Sequence, residues 1–422
     1  MKSSFSTVTN CRFCQHKLED VIHLGDKFPL AGGFMRQESE IKQEELFPLT
    51  LSLCPQCCLL HCKQSINPDK LFKQGYFYYS SKIPFLVQHF QQLADKIGKE
   101  LVVSNNFTAV EIGCNDGVLL RPLSKYCRVI GVDPSDTVKN LIQDGFEIYN
   151  DYLSGSIAQS IVNKHGQIDL FISCNSFAHI DDMKTVLTCM QKMLKPGGSV
   201  IIEVHYAKHI ITAMHVDFIY HEHLHYFTTT SFYKIGLQYG YRLENVELIP
   251  VHGGSLRIHW KKQGYVRFPE PLRDSVQAIL QEEHELKLDS PSIFPEFSAR
   301  LVKWKTNMKK VLQKYQRIYG YGSSGRANII CTLLDLKVDR LFDDSPMKVG
   351  SITPLYHVRI EDFADYTYTP GDAFIILAWP YKDAIVPKIL QKGPATIIIP
   401  LPNIEVYGGD NHPRKGVDYP VN

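Results

Sequence analysis

The stretch Val110-Glu111-Ile112-Gly113-Cys114-Asn115-Asp116-Gly117, followed by Gly131-Val132-Asp133-Pro134, constrains this chain more than any other. An apolar run from Phe107 to Ile112 leads into a glycine loop, and a second run, Arg128 to Val132, ends in an acid. An open α/β sheet receives a nucleoside in this way. Glycines let the backbone approach the ligand, and an acid at the tip of the next strand takes the ribose hydroxyls. The spacing reads E-x-G-x-x-x-G, not the dinucleotide pattern G-x-G-x-x-G. An ordinary strand–turn–helix uses the same residue types, so the rest of the chain has to decide.

A chain of 422 residues exceeds one compact core, and two or three domains are expected. Its 44% hydrophobic and 21% charged residues are those of a globular protein. A formal net charge of +2 provides no electrostatic footprint for nucleic acid or an anionic membrane. No apolar run reaches the ~18 residues that span a bilayer. Met1 to Asn10 lacks the apolar core of a signal peptide, so a cytoplasmic location is expected.

Eleven cysteines are then not a disulfide framework. Cys11-Arg-Phe-Cys14 and Cys54-Pro-Gln-Cys57 are two C-x-x-C pairs, the spacing of a zinc ribbon or knuckle. Four thiolates close a tetrahedron and leave no position for water, so a structural Zn²⁺ is expected on Cys11, Cys14, Cys54 and Cys57. Cys58 and Cys62 are spare, and His61 is an alternative ligand that the spacing disfavours. The segment is too small for a large core, so the metal supplies much of its folding energy.

Beyond the glycine loop, strands and helices alternate, which argues for a parallel, helix-covered sheet. Such sheets bind ligands at the carboxyl ends of their strands. Asp116, Asp133, Asp151, Asn175, His179 and Glu203 fall at or near such ends and outline a nucleoside-binding rim. The aromatic run Tyr76-Phe77-Tyr78-Tyr79 reads either as packing between domains or as a lid over the cofactor.

Residues 217 to 227 are the most unusual stretch, with His221, Glu222, His223 and His225 between Tyr220 and Tyr226. Histidine suits general-base work near neutral pH, and a neighbouring carboxylate can set its tautomer. If the segment were extended, the three histidines would share one face. A second metal site and a structural role are the rival readings. Sequence alone leaves open which histidine is the base.

Residues 270 to 315 are helical in pattern, broken at Asp289 to Pro295. Gly320-Tyr-Gly322-Ser-Ser-Gly325 then follows a strand and opens a helix, with Asp343-Asp344 about twenty residues on. The motif is a literal dinucleotide fingerprint. It reads as a loop that contacts the phosphates of a nucleotide-sugar, as a structural remnant, or as a true NAD(P) site. The strands around Asp372 to Trp379 and Ile397 to Pro400 complete a second sheet of the same kind.

The E-x-G-x-x-x-G loop resembles the first motif of the class I S-adenosylmethionine (SAM) methyltransferases. Over nearly its whole length the chain resembles the sugar C-methyltransferases, typified by the nucleotide-sugar C-3′-methyltransferases of deoxysugar biosynthesis. The paired C-x-x-C front, Glu111 to Gly117, Asn175 to Ile180, Tyr220-His-Glu-His223 and His252-Gly-Gly-Ser-Leu-Arg257 carry that resemblance. It implies an α/β fold in three parts: a zinc-binding domain at 1–70, a doubly wound class I methyltransferase sheet at 71–255, and a Rossmann-like domain at 256–422 that contacts the nucleotide-sugar. It implies His223 as the general base, with Tyr220, Glu222 and His179 around the reacting sugar.

On the cofactor side, Glu111, Gly113 and Gly117 are expected to shape the methionine pocket, with Asn115, Asp116, Asn175 and Tyr76 around it. Asp133 is expected to bind the ribose diol and Asp151 the adenine amine. The expected enolate donors are Tyr220 and His179, with Glu222 orienting the base. The expected reaction is SAM-dependent C-methylation at C3 of a nucleotide-diphospho-4-keto-6-deoxyhexose, by a monomer with no nucleic-acid or membrane partner. An O- or N-methyltransferase and an NAD-dependent sugar oxidoreductase are the alternatives.

Overall fold

The computed structural model describes residues 4–72, 79–263 and 271–408. At the front, the strands Glu19–Phe28, Phe47–Leu53 and Leu60–Cys62 form an antiparallel sheet. Its fourth strand, His225–Tyr226, comes from the distant histidine-rich segment and pairs with Leu60–Cys62. The sulfurs of Cys11, Cys14, Cys54 and Cys57 lie within 4.8 Å of one another. Ligand sulfurs at ~2.3 Å from one tetrahedral zinc stand about 3.8 Å apart, so the cluster fits the ion.

The N–H groups of Phe13 and Cys57 donate to the sulfurs of Cys11 and Cys54, at 3.4 and 3.3 Å, and so favour thiolates. Without an ion, the sulfur of Cys54 beside it pushes the Cys11 thiol up to about 12. A divalent cation removes the need for those protons. The knuckle is tied to the rest of the protein: Arg12 pairs with Asp181 at 2.5 Å, and the Tyr239 hydroxyl donates to the Phe13 carbonyl at 3.1 Å.

The middle of the chain builds a seven-stranded sheet, whose strands are numbered here in chain order: β1 Thr108–Ile112, β2 Arg128–Val132, β3 Glu147–Tyr149, β4 Ile168–Cys174, β5 Leu194–His205, β6 Tyr241–Ile249 and β7 Ser255–Lys262. They lie in the order β3-β2-β1-β4-β5-β7-β6, with β7 antiparallel to both neighbours. Alternate residues face opposite ways, as the pleat requires. Val110, Ile112, Phe171, Val200 and Ile202 enter one core, and Ala109, Leu170, Ile172 and Ile201 the other. Burial on both faces is why β1 reads as a continuous apolar run.

Leu194 to Gly198 is an irregularity inside β5, with Gly197 at φ +72°. Residue 255, expected as a domain boundary, lies in this sheet. It falls at the head of β7, a strand this sheet cannot lose without exposing β5 and β6.

A second sheet follows: Ile360–Asp362, Arg340–Asp343, Ile318–Tyr321, Ala373–Ile376 and Thr396–Ile399 run parallel, and Glu405–Tyr407 closes it antiparallel. Its core is continuous with that of the front sheet through Ala31, Leu49, Met214 and Phe218. No helix among the described residues is long and apolar enough to cross a membrane.

We expect the purified protein to hold about one zinc per chain. Cys54→Ser should lose the metal and melt well below the wild type, because a structural zinc contributes ~10 kcal/mol or more to such a module. Full zinc occupancy in that variant, by elemental analysis, would remove Cys54 from the ligand set.

Candidate active site

The order of strands reverses between β1 and β4, which opens a crevice at their carboxyl ends. Gly113 (φ +68°) and Gly117 (φ +81°) turn the loop that lines it. A Cβ on Gly113 would collide with the Ser176 side chain, and one on Gly117 with Leu141. Both glycines are therefore required by conformation and by space. Asp133, buried at the tip of β2, accepts the Asn115 N–H at 2.8 Å on one oxygen. Its other oxygen accepts from the N–H and hydroxyl of Ser135, at 2.8 and 2.5 Å. A carboxylate has about four acceptor positions, so one is left here for a ribose hydroxyl.

Glu111 is buried in β1, and one of its oxygens has no hydrogen-bond partner among the described residues. Burial, then Asp133 and Asp116, push its carboxyl well above the usual range. An orphaned polar atom beside a glycine cradle and a buried acid at a strand tip fits SAM. Asn115 and Asp116 also bond outside the glycine loop. Asn115 accepts the Ser80 N–H at 3.1 Å, and Asp116 accepts the Ser81 N–H and hydroxyl at 3.1 and 2.5 Å. They fasten a strap across the loop. Asp151 is exposed and accepts the N–H of Tyr152 at 2.9 Å. Tyr76 lies outside the described residues.

The loop after β4 links this crevice to the histidines. Asn175 (φ +56°) donates its N–H to the Glu203 carbonyl at 2.7 Å, and Ser176 donates to the Ile112 carbonyl at 2.9 Å. His179 ends the loop, its ring 4.9 Å from that of His223. His179 Nδ1 donates to the Glu222 carbonyl at 2.5 Å. That bond commits its single N–H, and burial keeps the ring below the usual histidine range.

The histidine-rich segment is not extended, and its histidines do not share a face. Val216–Phe218 is a short 3₁₀ turn, and only His225–Tyr226 pairs as a strand. His221 is buried against Phe47 and donates to the Pro48 carbonyl at 2.9 Å. His225 is buried against His61 and donates to the Ile180 carbonyl at 2.9 Å. His223 alone of the three is half-buried. Its Nδ1 donates to the Phe218 carbonyl at 3.0 Å, which leaves Nε2 as the acceptor, 3.0 Å from the Tyr220 hydroxyl. Burial, then the neighbouring His179, hold His223 well below the ordinary histidine range.

Glu222 does not orient His223; the Phe218 carbonyl does. The Glu222 carboxyl turns to the front sheet and accepts the Gly32 N–H at 2.9 Å. Burial raises its pKa.

Sequence reading missed two clusters. Glu203 and Arg257 are register partners across β5 and β7 and bond at 3.0 Å, with His89 2.9 Å from Glu203. Burial opposes ionisation of Glu203, but His89 and Arg257 outweigh it and lower its pKa. This network fixes the end of β5. The Arg257 of the His-Gly-Gly-Ser-Leu-Arg motif was the available signal. In the second cluster Asp217 accepts from Arg326 Nε and from the Trp379 indole, both at 2.8 Å. No local pattern announces that cluster.

The C-terminal glycine loop packs against the front sheet. A Cβ at Gly325 would lie 3.1–3.2 Å from Ala31, and Asn328 donates to the Ala31 carbonyl at 2.9 Å. Asp343 accepts the Ser323 N–H at 2.7 Å. The front sheet's own loop fills the close approach that this glycine allows.

Three family models match the chain in order: a zinc binding domain over residues 11–72, a methyltransferase domain over 82–246, and a C-methyltransferase C-terminal domain over 250–402. C-methyltransferase NovU from Streptomyces niveus is 26% identical over 424 residues, covering 97% of this chain and 100% of that protein. The mitochondrial ubiquinone biosynthesis O-methyltransferase of Homo sapiens is 30% identical over 100 residues, covering 22% of this chain and 27% of its own length. Among solved structures, the magnesium protoporphyrin IX methyltransferase of Synechocystis PCC 6803 with bound SAM is 14% identical at TM-score 0.31, covering 46% of this chain and 89% of that one. A chain that carries these three parts in this order, with the glycine loop and the four-cysteine cluster in place, is a SAM-dependent methyltransferase, similar over nearly its whole length to a C-methyltransferase.

Proposed function

We propose that the enzyme methylates C3 of a nucleoside-diphosphate 4-keto-6-deoxyhexose, with His223 as the base. The carrying observation is the setting of His223: half-buried, its Nδ1–H committed to Phe218, its Nε2 left as acceptor beside a phenol. A 4-keto group acidifies the C3 proton. His223 Nε2 takes that proton, and the C–H electron pair moves into an enolate. Once Nε2 carries a proton, the Tyr220 hydroxyl is free to donate to the enolate oxygen. His179 is removed from the donor role expected for it, because its N–H is held by the Glu222 carbonyl.

A ketone α-carbon is a far weaker acid than an imidazolium, and each pKa unit costs about 1.36 kcal/mol. A depressed His223 widens that gap, so preorganised donation to the enolate is essential. When bound, SAM supplies the electrophilic methyl group that the enolate carbon accepts. Asp133 holds its ribose, and Gly113 and Gly117 admit its backbone-proximal part.

A panel of nucleoside-diphosphate 4-keto-6-deoxyhexoses in D₂O with S-adenosylhomocysteine tests the reading. The wild type should exchange the C3 proton of an accepted sugar for deuterium. No exchange with any member would sink the carbon-acid chemistry and favour O- or N-methylation.

His223→Asn should lower both exchange and methylation by ~10²–10⁴-fold. Its affinity for S-adenosylhomocysteine should stay near that of the wild type. Asp133→Asn should do the reverse and weaken cofactor binding about tenfold or more, the worth of a charge-assisted hydrogen bond. An unchanged dissociation constant would remove Asp133 from the ribose site. Because the His223 pKa is lowered, the ring is unprotonated from below pH 6.5 upward. The acid limb of kcat/KM should therefore fall below pH 6.5, with a plateau to pH 8. An inflection at or above pH 6.5 would argue against His223 as the base.

A further inference from the structure

His223 keeps Nε2 as an acceptor only while the Phe218 carbonyl, 3.0 Å away, holds the proton on Nδ1. If that carbonyl moved, the proton could shift to Nε2 and be accepted by the Tyr220 hydroxyl, and the base would be lost. Phe218 closes the three-residue 3₁₀ turn Val216–Phe218. Hydrogen-bond geometry in such a turn is poorer than in an α-helix, so the turn relies on its neighbours.

The C-terminal sheet supplies the main one. Arg326 is the second residue of the helix Gly325–Leu334, directly after the glycine loop. Its Nε donates to one oxygen of Asp217 at 2.8 Å, and its Nη2 lies 2.6 Å from the same oxygen. The Trp379 indole donates to that oxygen as well, at 2.8 Å. Asp217 is fully buried, so its carboxylate needs the cation. The same guanidinium lies 3.8 Å from the Phe218 ring centroid. His205 stacks on that ring too, centroids 3.7 Å apart and planes 16° from parallel. Two planar groups this close to one centroid cannot share a face, so Phe218 is held from both sides. One side chain thus grips two consecutive residues, Asp217 by charge and Phe218 by its ring face.

We infer that Arg326 is a positioning residue for the base: by gripping Asp217 and Phe218 it fixes the carbonyl that sets the His223 tautomer. The C-terminal domain thereby takes part in proton abstraction without touching the proton. Lysine replaces it only in part. A planar guanidinium donates to a carboxylate along its edge while its face lies on an aromatic ring, and an ammonium does not. Arg326 also acts on His223 through its charge. The titratable groups around His223 are Tyr220, Tyr226, His179, His252 and Arg326. Burial, then His179, and to a lesser degree His252 and Arg326, keep its ring neutral.

The inference rests on the reading of His223 as the base. The experiment compares the full-length wild type, Arg326→Lys and the double variant Asp217→Asn/Arg326→Met, using the member of the sugar panel that the wild type methylates fastest. The double variant leaves no unpaired buried charge, so it should fold. Its KM for the sugar and its affinity for S-adenosylhomocysteine should stay near those of the wild type. Its kcat and its C3 proton exchange should fall ~10–100-fold, the effect of a base displaced by about 1 Å. With the cation gone, the His223 pKa rises, and the acid limb of kcat/KM should move to higher pH. Arg326→Lys keeps the charge and a bond to Asp217, so it should retain part of the rate and leave the limb in place. Unchanged kcat in either variant overturns the inference. So does a loss of sugar and cofactor binding as large as the loss of kcat, which a merely structural role would produce. A His223→Asn enzyme that still exchanges the C3 proton overturns the base reading, and this inference with it.

Discussion

Two residues of backbone, Ala31 and Gly32, hold the three parts of this enzyme in one arrangement. The Gly32 N–H takes the Glu222 carboxyl, one residue before the proposed base. The Ala31 carbonyl takes the Asn328 amide, and Ala31 itself packs where Gly325 leaves room. A side chain at position 325 would press on Ala31, and the loop that carries the Glu222 bond would have to give by a few tenths of an ångström. A charge-assisted hydrogen bond of this kind is worth ~1.5–3 kcal/mol. Its larger effect is geometric: a base misplaced by ~1 Å can lose about two orders of magnitude in rate.

The zinc cluster makes that arrangement affordable. A front sheet of short strands buries too little to stand on its own. The metal closes the segment, and Arg12, set between two of the cysteines, then reaches Asp181 just past His179. The ion has no open position for chemistry. Its part in catalysis is to keep a scaffold firm enough to lean on.

Local features were legible because they are written locally. The period of the apolar runs announced β1, β2 and β4, the positive φ angles at Gly113 and Gly117 required glycine, and the C-x-x-C spacing brought four sulfurs together. Contacts between distant residues were not legible. Glu222 lies 190 residues from Gly32, and Arg326 lies 109 from Asp217. The same limit applies to Gly320 to Gly325. A glycine pattern states that something comes close to the backbone. In Gly325 that something is Ala31, a piece of the same chain. The three histidines would share a face only in an extended segment, and only the fold shows that the chain turns at His221 and Glu222 before His225 joins a strand.

The strand His225–Tyr226 carries a consequence for how the molecule is made. It completes a sheet whose other strands all lie before residue 63, with His225 set against His61, 164 residues earlier. On the ribosome the cysteines emerge early and can take their metal at once, but Leu60–Cys62 must wait with an unpaired edge until the histidine-rich segment arrives. Pairing over such a distance is slow, and an open edge invites pairing with another chain. Assembly of the front sheet and assembly of the proposed catalytic segment are therefore the same late event, so a chain truncated before residue 225 would lack both.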